Sequence, residues 1–298
     1  MAAQSHTTDD PSNGSCQKPR RVLYVAGGGD VIGTYRCWRE GRDDPSQVAR
    51  TYSGQFYDVC HALGIHATVI GYHPRQERIE EDGFTIEHRP MRLSSWHGPF
   101  YHLGQYWFHL AVVWRAIRDR CDIVFPATEA HLAPYWIAVA NKMDVVPINH
   151  CTLWPKRRRF GLDALVRFFD KQFFRRGCSS IMVASKEISD QIDELTGGVH
   201  PPFAEFLPNY RRDMFAEIPK ADHSARPFRV LFAGRIEENK GVFDLLEIAT
   251  DLLQRRHDIV FDIAGDGSTM VELRQRAIAL GLDNIFHFHG LWQQPKMR

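Results

Sequence analysis

The sequence predicts an α/β protein built from two doubly wound units, and three observations carry that prediction. Short apolar runs alternate with helical patterns of roughly 10 to 20 residues, the rhythm of parallel strands covered on both faces by helices. The rhythm breaks at a polar stretch, residues 210–227, and then starts again. The 298 residues are also more than one ordinary hydrophobic core accommodates.

Composition narrows the class further. With 44% hydrophobic and 24% charged residues, the chain as a whole is not disordered. Thirty-seven Lys and Arg stand against 36 Asp and Glu, so a formal charge of +1 offers no global field for a nucleic-acid backbone. No apolar run approaches the ~20 residues that span a bilayer. The stretch 1–20 lacks an apolar signal core and is expected to be a disordered tail. Six cysteines are scattered without a Cys-x-x-Cys pair, which argues against zinc or a disulfide framework and for a reducing, cytoplasmic setting.

The elements follow in order. RVLYVA, 21–26, is a buried strand running into Gly27, Gly28 and Gly29, and Asp30 to Pro45 is read as an intervening segment. A helix capped at Pro45-Ser46 reaches Leu63, and Gly64 stops it. Strands are expected at 66–70, 84–89, 122–125, 145–149 and 180–184, and helices at 101–120, 134–142 and 161–176. An N-terminal domain over 21–209 and a linker over 210–227 follow. In 228–298, strands at 229–233, 259–264 and 285–289 alternate with helices at 242–255 and 270–281. A doubly wound sheet normally has five or six strands, so this second domain is expected to be incomplete.

Several residues could carry chemistry. Gly234-Arg235 and then Lys240 place two cations five residues apart between a strand and a helix N-terminus, where amides and dipole favour an anion such as a diphosphate. Spacing alone equally allows two solvated cations near Glu237 and Glu238. Gly265-Asp266-Gly267 follows the next strand at the end where α/β sheets bind ligands, and is also compatible with a plain turn. The segment 154–176 holds eight cations against Asp163 and Asp170, with Arg167, Lys171 and Arg175 in one row. It suits an anionic membrane surface or, equally, an ordinary sheet-covering helix with a wet basic face.

The order of these pieces resembles glycosyltransferase family 4, retaining nucleotide-sugar enzymes of the GT-B fold. The matching text is RVLFAGRIEENKGVFDLLEIATDLL and FDIAGDGSTMVELRQRAIALGLDNIFHFHGL, preceded by SIMVASKEISDQIDELTG and FLPNY. The resemblance implies two Rossmann-like domains facing a cleft and transfer of a sugar from a nucleoside diphosphate sugar to a glycan or lipid-linked acceptor. It implies no metal or other cofactor and no nucleic-acid partner, and a cytoplasmic enzyme that can sit peripherally at the inner membrane face.

Under that resemblance Gly234, Arg235 and Lys240 hold the donor phosphates, and Gly265, Asp266, Gly267, Gly290 and Leu291 border the nucleotide. Gly27, Gly28, Gly29 and Gly33 form the acceptor-side loop, unless the loop only packs strand on helix. Glu129 and His131 are the candidates for the polar residues that face the reacting sugar, with a helix-capping Thr128 and solvated neighbours as the competing reading; His150 could line the cleft or fill the core. The family's Glu, seven residues, Glu motif is absent after Arg229, so a truncated product is expected, with a non-catalytic binding module or a sugar-nucleotide epimerase as alternatives.

Overall fold

The computed structural model describes residues 20–42, 44, 51–93, 96, 98–127, 130–153, 162–207 and 224–291. These fall into two compact units, 20–207 and 224–291. The expected tail, the Pro45-Ser46 cap, Thr128 and Glu129, Lys156 to Arg159, Pro208-Asn209 and most of the expected linker lie outside the described residues.

The first unit is wound around β1 (Arg21–Gly28), which pairs in parallel with β2 (His66–Tyr72) on one side and β5 (Ile123–Pro126) on the other. Beyond β2 lie β4 (Phe84–Arg89) and β3 (Glu77–Glu81); beyond β5 lies β6 (Asp144–Val145). β3 runs antiparallel to β4 through a turn at Asp82-Gly83, with Gly83 at φ 81°. The expected strand 145–149 splits at Val146-Pro147. Its first part joins this sheet, and its second, β7 (Ile148–Asn149), pairs with β8 (Ile181–Val183), which pairs with β9 (Phe203–Glu205). Pro147 has no amide to give a ladder, but its carbonyl accepts from Met182 N at 2.9 Å, and a bridge from Ala127 to Ile148 carries the sheet across the break.

Alternation along the strands sends residues to two cores. Val22, Tyr24 and Val69 pack with Ile32 and Tyr35 of α1 (Val31–Arg39) and with Tyr57 of α2 (Tyr52–Ala62). Leu23, Val25 and Val124 pack on the opposite face beneath α3 (Pro99–Arg118), α4 (Tyr135–Ala140), α5 (Leu162–Arg176) and α6 (Lys186–Thr196). A buried ion pair, Arg115 Nη1 to Glu87 Oε2 at 3.0 Å, ties α3 to the end of β4.

Helix α1 corrects the reading of Asp30 to Pro45 as an intervening segment, because a helix begins directly after the glycine loop. Asp30 caps it, accepting from Gly33 N at 2.6 Å, and Val31, Ile32, Thr34 and Tyr35 turn inward. Gly33 is thus a first-turn helical residue whose amide is already engaged. Helix α2 starts later than expected, with Thr51 as its cap accepting from Gly54 N at 2.9 Å.

The second unit has a parallel sheet of β10 (Phe228–Ala233), β11 (Ile259–Ala264) and β12 (Phe286–Gly290), in that order. Helices α7 (Val242–Leu253) and α8 (Met270–Ala279) bury Leu246, Ala249, Leu273 and Ala277 against Phe261 and Ile263.

Asp30→Ala is expected to remove the α1 cap and lower stability by about 1 kcal/mol, read as an earlier urea midpoint with an unchanged slope.

Candidate functional site

In the second unit the ends of all three strands are knotted together by their loops. Gly234 N donates to Ala264 O at 3.0 Å, Ile236 N to Asp266 O at 3.0 Å, and Gly265 N to Gly290 O at 2.8 Å. Thr269, one residue ahead of α8, adds a hydroxyl bond to Ile236 O at 2.8 Å. This seating explains two glycines. A Cβ on Gly265, whose φ is 148°, would lie 1.8 Å from Gly234 O, and one on Gly267 would lie 2.3 Å from Ile236 O. The loops after β10 and β11 therefore meet backbone to backbone, and only glycine allows it. Asp266 takes the amide of Gly267 at 2.8 Å, Gly290 sits at φ 70°, and Leu291 is exposed.

Both expected cations lie on this rim. Arg235 leaves the end of β10 with its side chain 67% exposed, and its Nη1 donates to Glu237 Oε1 at 3.1 Å. Ile236 beside it is fully buried and anchors the loop. Lys240 is exposed in a single 3-10 turn, Glu238–Lys240, and Gly241 at φ 75° leads into α7. The pair is thus placed at the carboxyl end of a parallel strand, just ahead of a helix N-terminus. That is where cations, amides and dipole can act on one anion.

A charged cluster absent from the sequence-based candidates lies on the sheet itself. Asp262, buried in the middle strand, accepts from His289 Nε2 at 2.6 Å and from Arg229 Nη2 at 2.7 Å, with His287 Nδ1 at 3.7 Å. Burial works to raise its pKa, but the bonds from His289 and Arg229 outweigh it and hold the carboxyl below its usual range. The signal was present as a lone acid in the apolar run IVFDIA facing the two histidines of IFHFH.

In the first unit the glycine loop closes tightly on its neighbours. Gly27 and Gly29 have φ of 76° and 144°, and a Cβ on Gly28 would lie 2.4 Å from the Tyr72 ring. Gly29 N turns back to Tyr72 O at 3.4 Å, and the next free helix amide, Ile32 N, donates to His88 Nε2 at 3.3 Å. With Gly33 N held by Asp30, two of the first-turn amides of α1 are taken up within the protein.

The segment after β5 brings His131 to His102 of α3, Nε2 to Nδ1 at 3.1 Å. Nearby, His109 Nδ1 meets the Tyr135 hydroxyl at 2.9 Å, and His109 lines a cavity of about 20 Å³ with Gly27, Tyr72, Gln105 and Ala127. That volume suits one water molecule. Burial, and secondarily the neighbouring histidine, pushes His131 down to about 4 and His109 to about 3, so both imidazoles are neutral at pH 7. His150 stacks obliquely on Tyr52, with ring centroids 4.9 Å apart. Burial drives the thiols of Cys60, Cys121 and Cys178 up to about 12, so they are poor nucleophiles. Among the described residues no group of three or more His, Cys, Asp or Glu is placed to hold a metal ion.

The fold, two parallel-sheet α/β units with ligand-competent loops at strand carboxyl ends, is that of GT-B glycosyltransferases. Residues 213–297 match the family Glycosyl transferases group 1, a stretch that includes the rim described above. Sucrose-phosphate synthase of Thermosynechococcus elongatus superposes with a TM-score of 0.60 at 11% identity, over 93% of this chain and 72% of that one. HepE of Anabaena, in complex with UDP, gives 0.59 at 17% identity over 91% and 69%. An E. coli trehalose-6-phosphate structure bound with UDP-2-fluoro glucose gives 0.61 at 10% identity over 91% and 74%. No curated protein matches the chain in sequence. The match over residues 213–297 and the fold together support a glycosyltransferase.

Two outcomes follow. Gly265→Ala or Gly267→Ala should cost the second unit at least about 2 kcal/mol, because backbone rather than a yielding side chain blocks the new methyl group; denaturant unfolding reads this directly. The second concerns His109, whose pKa in the fold is about 3 against 6.5 when free. The unfolded chain takes up its proton first. Its contribution to stability is therefore complete above pH ~6.5 and is lost toward pH ~3, by up to about 1.4 kcal/mol per pH unit. His109→Phe should flatten that slope while lowering stability overall through the orphaned Tyr135 hydroxyl.

Proposed function

We propose that this protein transfers a sugar from a nucleoside diphosphate sugar to a glycan or lipid-linked acceptor, with retention at the anomeric carbon. The observation that carries the reading is the rim at the end of β10, inside the group 1 match, where Arg235 and Lys240 stand ahead of α7. Support for retention comes from trehalose-6-phosphate synthase, studied for glycosyl transfer with retention, which shares the fold at a TM-score of 0.61. HepE and the E. coli structure bind UDP and a UDP-sugar, which makes UDP the first nucleotide to test.

As the bond between the anomeric carbon and the phosphate oxygen breaks, negative charge gathers on the departing diphosphate. Arg235 can fork two phosphate oxygens, and Lys240 supplies a point charge beside them, at a helix end already biased toward anions. Glu237 holds the Arg235 guanidinium until a diphosphate competes for it. The charge neutralisation comes from side chains, so the proposed reaction uses no metal. Gly265, Asp266, Gly267, Gly290 and Leu291 border the nucleotide, and Gly27 to Gly29 border the acceptor. In the first unit His131, neutral and already a hydrogen-bonding partner of His102, is the candidate for contacting a sugar hydroxyl; Glu129, its companion candidate, lies outside the described residues.

Isothermal titration with UDP tests the central assignment. Arg235→Ala is expected to weaken binding by about 1.5 to 3 kcal/mol, roughly tenfold to a hundredfold. Unchanged affinity in a folded variant removes Arg235 from the donor site.

A further inference from the structure

Helix α3 presents two different faces. Phe108, Val112, Val113 and Ala116 sink into the core, whereas Phe100, Leu103, Trp107 and Trp114 remain outside, with Trp107 58% and Trp114 60% exposed. Their spacing of three, four and seven residues makes one stripe, about 21 Å long at 1.5 Å per residue. Trp96, just before the helix, packs edge-on against Phe100 with centroids 5.2 Å apart and extends the row. A soluble helix normally turns charged side chains to this side.

The stripe has a companion. Helix α5 buries Phe173 and Phe174 in the same core, on the same side of the sheet, with Trp136 of α4 packed against Phe173 at 5.3 Å between centroids. Its outer side carries Leu165, Phe168 and Phe169, all exposed, so its apolar residues are divided between core and solvent rather than gathered on one sheet-covering face. Helices α3, α4 and α5 thus pack on one shared core, and each of α3 and α5 also carries an exposed aromatic side.

The charges on this layer are mostly basic, the chief exception being Asp119, the C-cap of α3, which pairs with Arg115 and Arg118. Helix α3 contains no acidic residue, and Arg92, Arg118 and Arg120 are exposed at its two ends. Helix α5 contributes the exposed Arg176 and the half-buried Arg167, Lys171 and Arg175; its sequence also holds Asp163, and Asp170 is turned toward the Leu132 backbone.

We propose that the outer face of α3 and α5 docks on an anionic phospholipid surface, its tryptophans and phenylalanines entering the headgroup boundary and its arginines and lysines meeting lipid phosphates. Tryptophan and phenylalanine flanked by cations is the pattern that an interfacial layer selects, because the rings fill the apolar edge while the cations stay in water. Each cation near the headgroups adds to the attraction. A protein partner would need an acidic surface shaped to this row; a bilayer needs only anionic headgroups. The argument rests on the α3 and α5 surface and stands independently of sugar transfer.

Co-sedimentation of the full chain with two vesicle types tests it, one of phosphatidylcholine alone and one of phosphatidylcholine and phosphatidylglycerol in equal parts. The protein should be recovered with the mixed vesicles, and added salt should release it. W107S combined with W114S, both exposed positions, should raise the lipid needed for half-binding at least about tenfold while leaving circular dichroism and UDP titration unchanged. Equal recovery from the two vesicle types, or no recovery from the anionic one, overturns the proposal. If recovery fails and the wild-type chain instead self-associates through a contact that the same double substitution abolishes, the face belongs to a second copy of the chain.

Discussion

The rim of the second unit depends on one steric fact, the direct contact of the loop leaving β10 with the loop leaving β11. Gly234 O and Ile236 O occupy the space where side chains at 265 and 267 would begin. With these backbones in contact, Ile236 is driven fully into the core and its neighbour Arg235 is left on the surface. The cation is thus aimed by burial of the adjacent residue and by amide bonds to Asp266 and Ala264, rather than by contacts of its own flexible chain. A side chain with many rotamers gains a defined origin in this way, which lowers the ordering cost of gripping a ligand.

The first unit solves a comparable problem with histidines. Two neutral imidazoles, His109 and His131, sit near the carboxyl ends of β1 and β5, bonded to Tyr135 and His102. A third, His88, receives an amide of α1. Each takes a protein group as its partner, and burial keeps His109 and His131 uncharged.

Strands flanked by strong apolar runs were legible in the sequence, since Phe84–Arg89 and Ile259–Ala264 fall where periodicity places them. So was the rim carrying Arg235 and Lys240, because strand, polar loop and helix follow one another without interruption. Helix α1 was not legible. It has nine residues, includes Gly33 and Thr34, and is held by Asp30 and His88, the latter 56 residues away in sequence. The strand Glu77–Glu81 has too little apolar character to announce itself and forms because the Asp82-Gly83 turn folds it onto β4. The Asp262 cluster was hidden for a related reason: its members come from three strands, and only the parallel register brings Arg229, Asp262 and His289 together.

The buried cysteines divide between the two layers of the first unit. Cys60 lies in the layer beneath α1 and α2, while Cys121 and Cys178 lie in the opposite one. Neither layer can loosen without exposing a sulfur that is otherwise shielded and protonated. The protein therefore carries its own pair of chemical clocks: the pace at which an alkylating reagent consumes each thiol reports how often that side of the sheet breathes, one side independently of the other.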